Sequence, residues 1–489
     1  MGMNVIHGSE QLSYLGSMRT LILIGFGLLL SFSTTSQTSI NWEDAIAVAP
    51  SEYGYINLRM VLNSDGSPVI LHGKSGTTGG LYCTRWNGVD FDAPVAITSE
   101  TGLFINDAEG PRMAVSGDRI AVTYQLSGQW ATGGRMVLSE DGGATWGTPI
   151  PTSPEATEDH FMPVPAFDEN QQPWVTVKWG SSPVLEGAQF WDEGSETFLA
   201  PVDAGQPMDG DAVCECCASM PFSHDGRNYD VVRNNNSNIR DFWVVRTDVS
   251  GSWSEALDID PTNWSINSCP ASEAETCILA DGTLLAVFMS AAEGGSRVYW
   301  STADLEAWSL LDSDRIQPGV DQVENNPSVD ADGDHSVVAW ESNQGGYDIL
   351  VASGSNSAGG PGAWPDAASV VTEGLSGHSR RPVVRVAGNT VHLVYQRPSE
   401  GTFHYRRGTI GASSTLPPLM VNAPLEVSST PMGWHVSGHT GFHWTVHDLS
   451  GRCMASGQSP DGNVSFGETG IYILGITSEM DVQHFKLAR

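Results

Sequence analysis

From residue 40 to residue 414 the apolar positions fall in short runs, each set off by a turn containing Gly, Asp or Asn. Val69-Ile70-Leu71 follows Asp65-Gly66, Ile120-Ala121-Val122 follows Gly117, and Trp174–Val177 follows Glu169-Asn170. Downstream, Leu284–Phe288 follows Asp281-Gly282, Val337–Trp340 follows Asp332-Gly333, and Val391–Tyr395 follows Gly388, with Asp225-Gly226 marking the remaining turn. Such runs predict strands, and no segment of useful length carries the 3.6-residue helical period. A second marker keeps step with the first. Aromatics at Trp42, Phe91, Trp146, Phe198, Trp253, Trp308 and Trp364 are spaced by 49, 55, 52, 55, 55 and 56 residues. Two markers in phase over such a length predict propeller blades. The expected fold is all-β, a β-propeller with seven blades favoured and six as the alternative. Ile40–Val48 is expected to complete the blade of residues 376–412, closing the ring without a free sheet edge.

The rhythm stops after Ser414. Residues 416–424, from Leu416-Pro417-Pro418 to Pro424, read as a linker, and residues 425–489 as a small C-terminal β-sandwich with strands around Trp444–Gly451, Gly467–Ile476 and Val482–Leu487. The other end reads as an address. Met18-Arg19, the apolar run Thr20–Leu30 and the small polar residues Ser31–Ser36 have the order of a secretory signal peptide. Residues 1–36 are therefore expected to be an N-terminal extension plus signal, and 37–415 the propeller. The apolar run is too short for an anchor, so no membrane span is expected after cleavage. The expected location is secreted or at the cell surface, where cysteines can oxidise.

Composition narrows the partners. The formal charge is −34, only 16% of residues are charged, and lysine occurs only at 74, 178 and 486. No basic stripe is available to neutralise phosphates, which argues against nucleic acid.

The octet Ser139-Glu140-Asp141-Gly142-Gly143-Ala144-Thr145-Trp146 has the Ser-x-Asp-x-Gly-x-Thr-Trp form of an Asp-box. It resembles the hairpin signature of sialidase-like (BNR-repeat) propellers, and the 301–308 copy keeps Ser301, Asp304 and Trp308. The tail resembles the C-terminal sorting domain of type IX secretion of Bacteroidetes type, through its Asp448…Gly451 turn, the Gly470-Ile471-Tyr472 strand opening and the terminal Lys486-Leu487. That second resemblance implies the secretion machinery as a partner.

In a propeller the residues just before each innermost strand gather at one mouth of the channel. Here they are Arg59, Glu109 with Arg112, Asp159 with His160, Glu215 with Cys216 and Cys217, Glu273, Glu275, Glu324, and His378 with Arg380 and Arg381. A guanidinium fork matches a carboxylate. The sialidase resemblance implies an arginine cluster drawn from Arg112, Arg240 and Arg381, with Asp159, Glu324 or Tyr347 as reacting groups. The Phe-Arg-Ile-Pro signature of that family is absent, its nearest echoes being Leu58-Arg59-Met60-Val61 and Pro111-Arg112-Met113-Ala114. The expected partner is an extracellular glycan or glycoprotein. Hydrolysis of an acidic sugar and non-catalytic binding of glycan or protein stand as rival expectations.

The middle blades hold the densest cluster: Cys214, Cys216 and Cys217, then Asn234–Asn238 before Arg240-Asp241-Phe242-Trp243, then Trp264 and Cys269, with Cys277 beyond. The set resembles a subgroup of secreted sialidase-like propellers with a Cys-Cys pair, an Arg-Asp strand and a Trp-x-Ile-x-x-Cys-Pro loop. Disulfides among Cys214, Cys216, Cys217, Cys269 and Cys277 are expected, and on that reading no metal or cofactor. The rival is a thiolate site for copper or zinc assisted by His224. Asn235, Arg240, Asp241, Trp243 and Trp264, with Arg59, Arg112, His160 and Arg381, make up the expected sugar-binding set. An Asn-rich turn bonded to its own backbone is the alternative for the 234–238 segment.

Overall fold

A computed structural model of the chain describes residues 39–411, except 77–78, 209, 211, 344, 357–363, 365–367 and 373–374, together with the strands of a second unit between residues 426 and 488. The expected signal segment 1–36, the linker 416–424, the turn at 448–451 and Gly470 lie outside the described residues.

Seven antiparallel sheets make the propeller. Blade I contains Ile56–Leu62, Pro68–Lys74, Gly80–Arg85 and Val95–Ala96. Blade II contains Arg112–Ser116, Arg119–Leu126, Gly134–Ser139 and Ile150–Pro151, with the short strand Leu103–Phe104 beside Arg119–Leu126. Blade III contains His160–Phe167, Pro173–Trp179 and Leu185–Asp192, flanked by Thr197–Phe198 and Val202–Asp203. Blade IV contains Met220–His224, Arg227–Arg233, Phe242–Thr247 and Trp253–Asp258. Blade V contains Glu275–Ile278, Thr283–Ser290, Arg297–Asp304 and Ser309–Arg315, and blade VI Val323–Asp332, His335–Asn343, Tyr347–Ser355 and Ser369–Val370. Blade VII takes Arg380–Ala387, Thr390–Arg397 and Thr402–Ile410 from the end of the propeller and its outer strand from the beginning. Ile40 pairs with Ile410 and Trp42 with Gly408, then Ile46 with Tyr405. The ring closes as expected.

The period of the marker aromatics has a packing cause. An apolar cluster fills the space between each pair of neighbouring blades, and each cluster holds one marker. Trp146 packs between blades I and II, Phe198 between II and III, Trp253 between III and IV, and Trp308 between IV and V. Trp364 fills the V–VI cluster, Trp42 the VI–VII cluster and Phe91 the VII–I cluster. Each marker comes from the outer part of its own blade and covers the preceding one, so one aromatic per blade is what the ring requires. Burying such a side chain is worth about 1.5–3 kcal/mol.

The 139–146 octet forms a self-bonded turn. Asp141 accepts from the Ser139 and Thr145 hydroxyls at 2.9 and 2.6 Å and from the Thr145 amide at 2.8 Å. Gly143, at φ 81°, has no room for a side chain, because a Cβ would lie 3.1 Å from Cys83 Sγ and Val69 Cγ1 of blade I. The second unit has two antiparallel sheets, one of Glu426–Thr430, Gly433–Ser437 and Asn463–Ser465, the other of Cys453–Ser459, Phe442–His447, Ile471–Ser478 and Asp481–Ala488. Among the described residues no helix is long and apolar enough to cross a membrane.

Candidate functional site

One mouth of the channel is shaped by a repeated irregularity. In blades I, III, VI and VII the innermost strand is bulged near its start, between Ile56 and Arg59, Phe161 and Val164, Asn325 and Ser328, and Arg380 and Val383. A non-glycine residue with positive φ sits in each bulge: Asn57 at 57°, Met162 at 53°, Asn326 at 47° and Arg381 at 49°. Bulges interrupt pairing and re-aim side chains. Left-handed backbone at such residues costs about 1–3 kcal/mol unless the surroundings hold it. Here they do. The Asn57 amide donates to Asp107 Oδ1 and its side chain to Asn106 O, both at 2.7 Å, and the Arg381 amide donates to the buried Glu341 at 3.0 Å.

The arginines expected at the mouth divide into two groups. Arg59 and Arg112 grip opposite oxygens of Glu273, at 3.0 and 2.5 Å. Arg381 reaches Asp107, whose backbone oxygen also accepts from Arg59. Burial, then repulsion from Arg59, pulls the Arg112 pKa down to about 10, and its Nη1 has no hydrogen-bond partner. Below this ring the channel narrows to a cavity of about 220 Å³ lined by Arg59, Arg112, Glu273, Glu275, Asp330 and Arg385 among others. The third arginine implied by the resemblance is elsewhere. Arg240 is buried against the cysteine loop, bonded to Glu215 and to Cys214 Sγ at 3.0 Å each.

Beside the arginines, between blades II and III, lies a pocket of about 280 Å³. Phe104, Trp130, Phe161 and Met162 form its apolar wall, and Gln125, Glu109, Asp159 and Glu215 its polar one. Trp130 is 39% exposed and stands edge-on to Phe104, ring centres 5.2 Å apart. Glu109 is held by the Asn106 side chain at 3.1 Å. Burial pushes the Glu215 pKa up, but backbone bonding and Arg240 outweigh it and hold the carboxyl below the usual range. His160 packs under this rim, its amide on Trp130 O at 2.9 Å, and burial lowers its pKa.

Of the three expected reacting groups only Asp159 lines this pocket. Glu324 is fully buried in blade VI, accepting from Trp340 Nε1 at 3.2 Å and the Val298 amide at 3.3 Å. Tyr347 lies under the Arg380 guanidinium, 4.0 Å from its ring centre. Most of the expected sugar face on blade IV is likewise internal. Asn234 Oδ1 accepts from the Asp241 amide at 2.9 Å, and Asp241 Oδ1 accepts from the Trp264 amide at 2.8 Å. Arg240, Asp241 and Trp264 are all buried, and Trp243 packs against the III–IV cluster. Asn236 and Ile239 exchange backbone bonds and close a turn, and the Asn235 amide just before it donates to Ala212 O at 2.9 Å. Asn234, Arg240 and Asp241 brace the cysteine loop through these bonds, while Asn235 and Trp243 are half-buried.

Cys216 is disulfide-bonded to Cys269, while Cys214, Cys217, Cys277 and Cys83 are free. The expectation that Cys214, Cys217 and Cys277 join bridges is corrected: all three are free, and Cys277 is half-buried in the first strand of blade V, in the electrostatic reach of Asp330 and Arg385. A hydrogen bond from Cys217 leads the effects that bring the Cys214 pKa to about 6. His224 is at the far end of its strand, in a groove with Asp225, Asp281 and Asp304.

Phe104, Trp130, Gln125, Phe161 and Met162 were not legible as mouth residues from strand alternation. A signal was present. Pro163, Pro327 and Pro382 each follow a left-handed bulge residue, and Pro111 and Pro221 stand at the same place in blades II and IV. Proline marks strand starts and bulges because it cannot donate to the ladder.

The acids that brace the cysteine loop should give stability a measurable pH dependence. Burial, then the neighbouring Asp260 carboxylate, pushes Asp241 up to about 7, and burial pushes Asp258 up to about 6. Unfolded aspartate titrates near ~4. The folded state therefore binds more protons between those values, and stability falls as pH rises from about 4 to about 7. Urea midpoints from pH 4.5 to 8 should fall less steeply for Asp241→Asn than for the parent; identical slopes would remove Asp241 as a cause.

Neither a protein-family model nor a curated protein matches the chain. Solved structures do match. A fungal alcohol oxidase in complex with copper is 11% identical, with a TM-score of 0.47, covering 92% of this chain and 100% of its own. An ulvan lyase bound to a glucuronate–rhamnose sulfate unit is 12% identical at a TM-score of 0.45, over 77% of this chain and 95% of its own. An α-L-arabinanase from Penicillium chrysogenum complexed with arabinobiose is 12% identical at a TM-score of 0.42, over 77% and 98%. The chain itself is a seven-bladed β-propeller by its own strand pairing.

Proposed function

We propose that this protein is an exported propeller that binds neutral glycan chains at its channel mouth, in the pocket between blades II and III. The observation that carries the reading is the exposed Trp130, set against Phe104 over a wall of Glu109, Asp159 and Glu215. A sugar ring presents one apolar face, which an indole covers, and hydroxyls around its rim, which carboxylates accept. Three carboxylates repel an anionic sugar, and the nearby arginines already have Glu273 and Asp107 as partners. Hydrolysis of an acidic sugar, as the sialidase resemblance implies, is therefore the second reading. Glu215, held as an anion by Arg240, suits hydroxyl binding better than proton donation. Export rests on residues 18–36 and on the resemblance of the tail to a sorting domain.

The test is binding of the purified chain to a panel of neutral and acidic oligosaccharides, beside Trp130→Ala. We expect neutral ligands to bind and the variant to weaken them by at least tenfold, about 1.4 kcal/mol. Unchanged binding by the variant would exclude this pocket. Turnover of a fluorogenic sialoside that vanishes in Arg112→Ala and Arg381→Ala would replace the binding reading with the hydrolytic one.

A further inference from the structure

Behind Glu215 the loop turns inward and brings sulfur atoms together. Cys214, Cys216 and Cys217 have sulfurs all within 4.8 Å of one another, with Cys214 to Cys217 at 3.1 Å and Cys214 to Cys216 at 3.6 Å. All three are buried. Cys269, bonded to Cys216, adds a fourth sulfur from the loop that precedes blade V, and that residue is exposed.

We propose that these four cysteines form a binding site for one thiophilic cation, zinc(II) or copper(I), and that the Cys216–Cys269 bridge is its closed, metal-free state. Three observations carry this. A tetrahedral thiolate site with zinc–sulfur bonds of about 2.3 Å places its sulfurs about 3.8 Å apart, inside the range that the cluster already spans. The sulfurs are surrounded by N–H donors: Arg240 Nη1 lies 3.0 Å from Cys214, the Cys216 amide donates to Cys214, and the Ser272 amide to Cys217. Cys214 and Cys217 both lie outside the bridge, and metal-bound thiolates need such donors. Among the described residues the set is also free of oxygen ligands: neither Glu215, which points away to Arg240 and the pocket, nor His224 belongs to it. An all-sulfur set selects zinc or copper(I) over calcium or magnesium.

Opening is balanced by a small dithiol reductant. One of its thiolates attacks the exposed Cys269 sulfur, the Cys216–Cys269 bond breaks, and Cys216 leaves as a thiolate. The second reductant thiol then attacks the mixed disulfide, releasing Cys269 and leaving the reductant as a disulfide. Two electrons reach the protein, and the four cysteine sulfurs are then available, losing their protons to buffer as the cation binds.

The experiment uses the full chain, reduced with a non-thiol phosphine under argon and checked for retained strand signal by circular dichroism. Cobalt(II) is titrated as the spectroscopic probe, followed by zinc and copper(I) in separate arms with competing chelators. We expect one equivalent of cobalt with the visible ligand-field bands of a tetrahedral thiolate site, displaced by whichever of zinc or copper(I) binds more tightly. Cys217→Ser and Cys269→Ser should each weaken binding by more than the about 10–100-fold lost with an outer hydrogen-bond partner. Cys83→Ala, in blade I, should leave it unchanged, and bridged protein should bind at least about 100-fold more weakly. The proposal is overturned if folded, reduced protein takes up none of the three ions, or if Cys269→Ser binds as tightly as the parent. Disulfide mapping of the unreduced protein that finds Cys214 joined to Cys217 would overturn it too.

Discussion

Lys178→Met should cost about 3–5 kcal/mol of folding stability, the largest loss expected from any single substitution discussed in this protein. Lys178 lies in the second strand of blade III, 1% exposed, and pairs with Glu186 on the adjacent strand, also 1% exposed. Glu186 also accepts from Ser219 at 3.1 Å, Ser219 is 2.7 Å from Thr176, and the buried Asp230 of blade IV stands alongside. One cation thus serves two buried carboxyl groups. Burial drives both acids upward, and for Asp230 the Glu186 charge adds to the shift. Burial alone would lower Lys178, but Glu186 outweighs it and the ammonium stays charged. Methionine fills the same volume and removes only the charge, leaving Glu186 to be protonated or solvated at full cost. Lys178→Met/Glu186→Leu should recover part of the loss, because the pair is replaced by apolar groups while Asp230 still loses its cation. Urea unfolding of the two variants decides it. A single variant within 1 kcal/mol of the parent would show that water reaches the cluster.

The second large effect concerns the outer strand of blade VII. A chain beginning at residue 50 should elute earlier than the parent on size exclusion and melt at a clearly lower temperature. The missing segment supplies Ile40 and Trp42 to the VI–VII cluster and pairs with five positions of Thr402–Ile410. It also anchors Arg407 through Glu43 at 3.1 Å. Gly408 shows how close the fit is, since a Cβ there would lie 2.4 Å from Ile40 and 2.9 Å from Trp42. Two apolar side chains of this size are worth about 3–6 kcal/mol when fully buried, less here because both are only partly covered. The uncovered edge of Thr402–Ile410 is then free to pair with another chain. A synthetic 38–49 peptide should restore the elution of the parent. Unchanged elution and melting without it would mean that the ring does not depend on this strand.

Much of the fold was legible because the marker aromatics have one physical task each, repeated once per blade. Trp253 and Trp364 stand where they do because the gap between neighbouring sheets recurs. The mouth was only partly legible. Asp159 and Glu324 both occur at the start of an innermost strand, yet one lines the pocket and the other is buried with Trp340. Side-chain alternation predicts facing only where pairing is continuous, and the bulges at Asn57, Met162, Asn326 and Arg381 interrupt it. The Asn234–Asn238 segment misled for a different reason. Asparagine suits a sugar and a turn equally well by composition, and only the hydrogen bonds made in the fold separate the two. Trp130 carries no sequence mark that distinguishes it from the structural tryptophans, because its role comes from a blade II loop folding toward blade III.

The meeting of the propeller's first and last strands brings the Gly411 amide within 2.9 Å of the Ser39 carbonyl. Where the polypeptide enters and leaves the ring is therefore almost a continuous path, and the interruption could stand in any inter-blade loop with the same seven sheets. The present arrangement makes one blade wait: strand Ile40–Trp42 is the earliest described strand of the propeller and its partner Gly408–Ile410 part of the latest. Contacts of such long separation are the slow ones to form. A circularly permuted chain, joined between 411 and 39 and opened elsewhere, would build that blade from neighbouring residues and move the delay to wherever the new ends were placed.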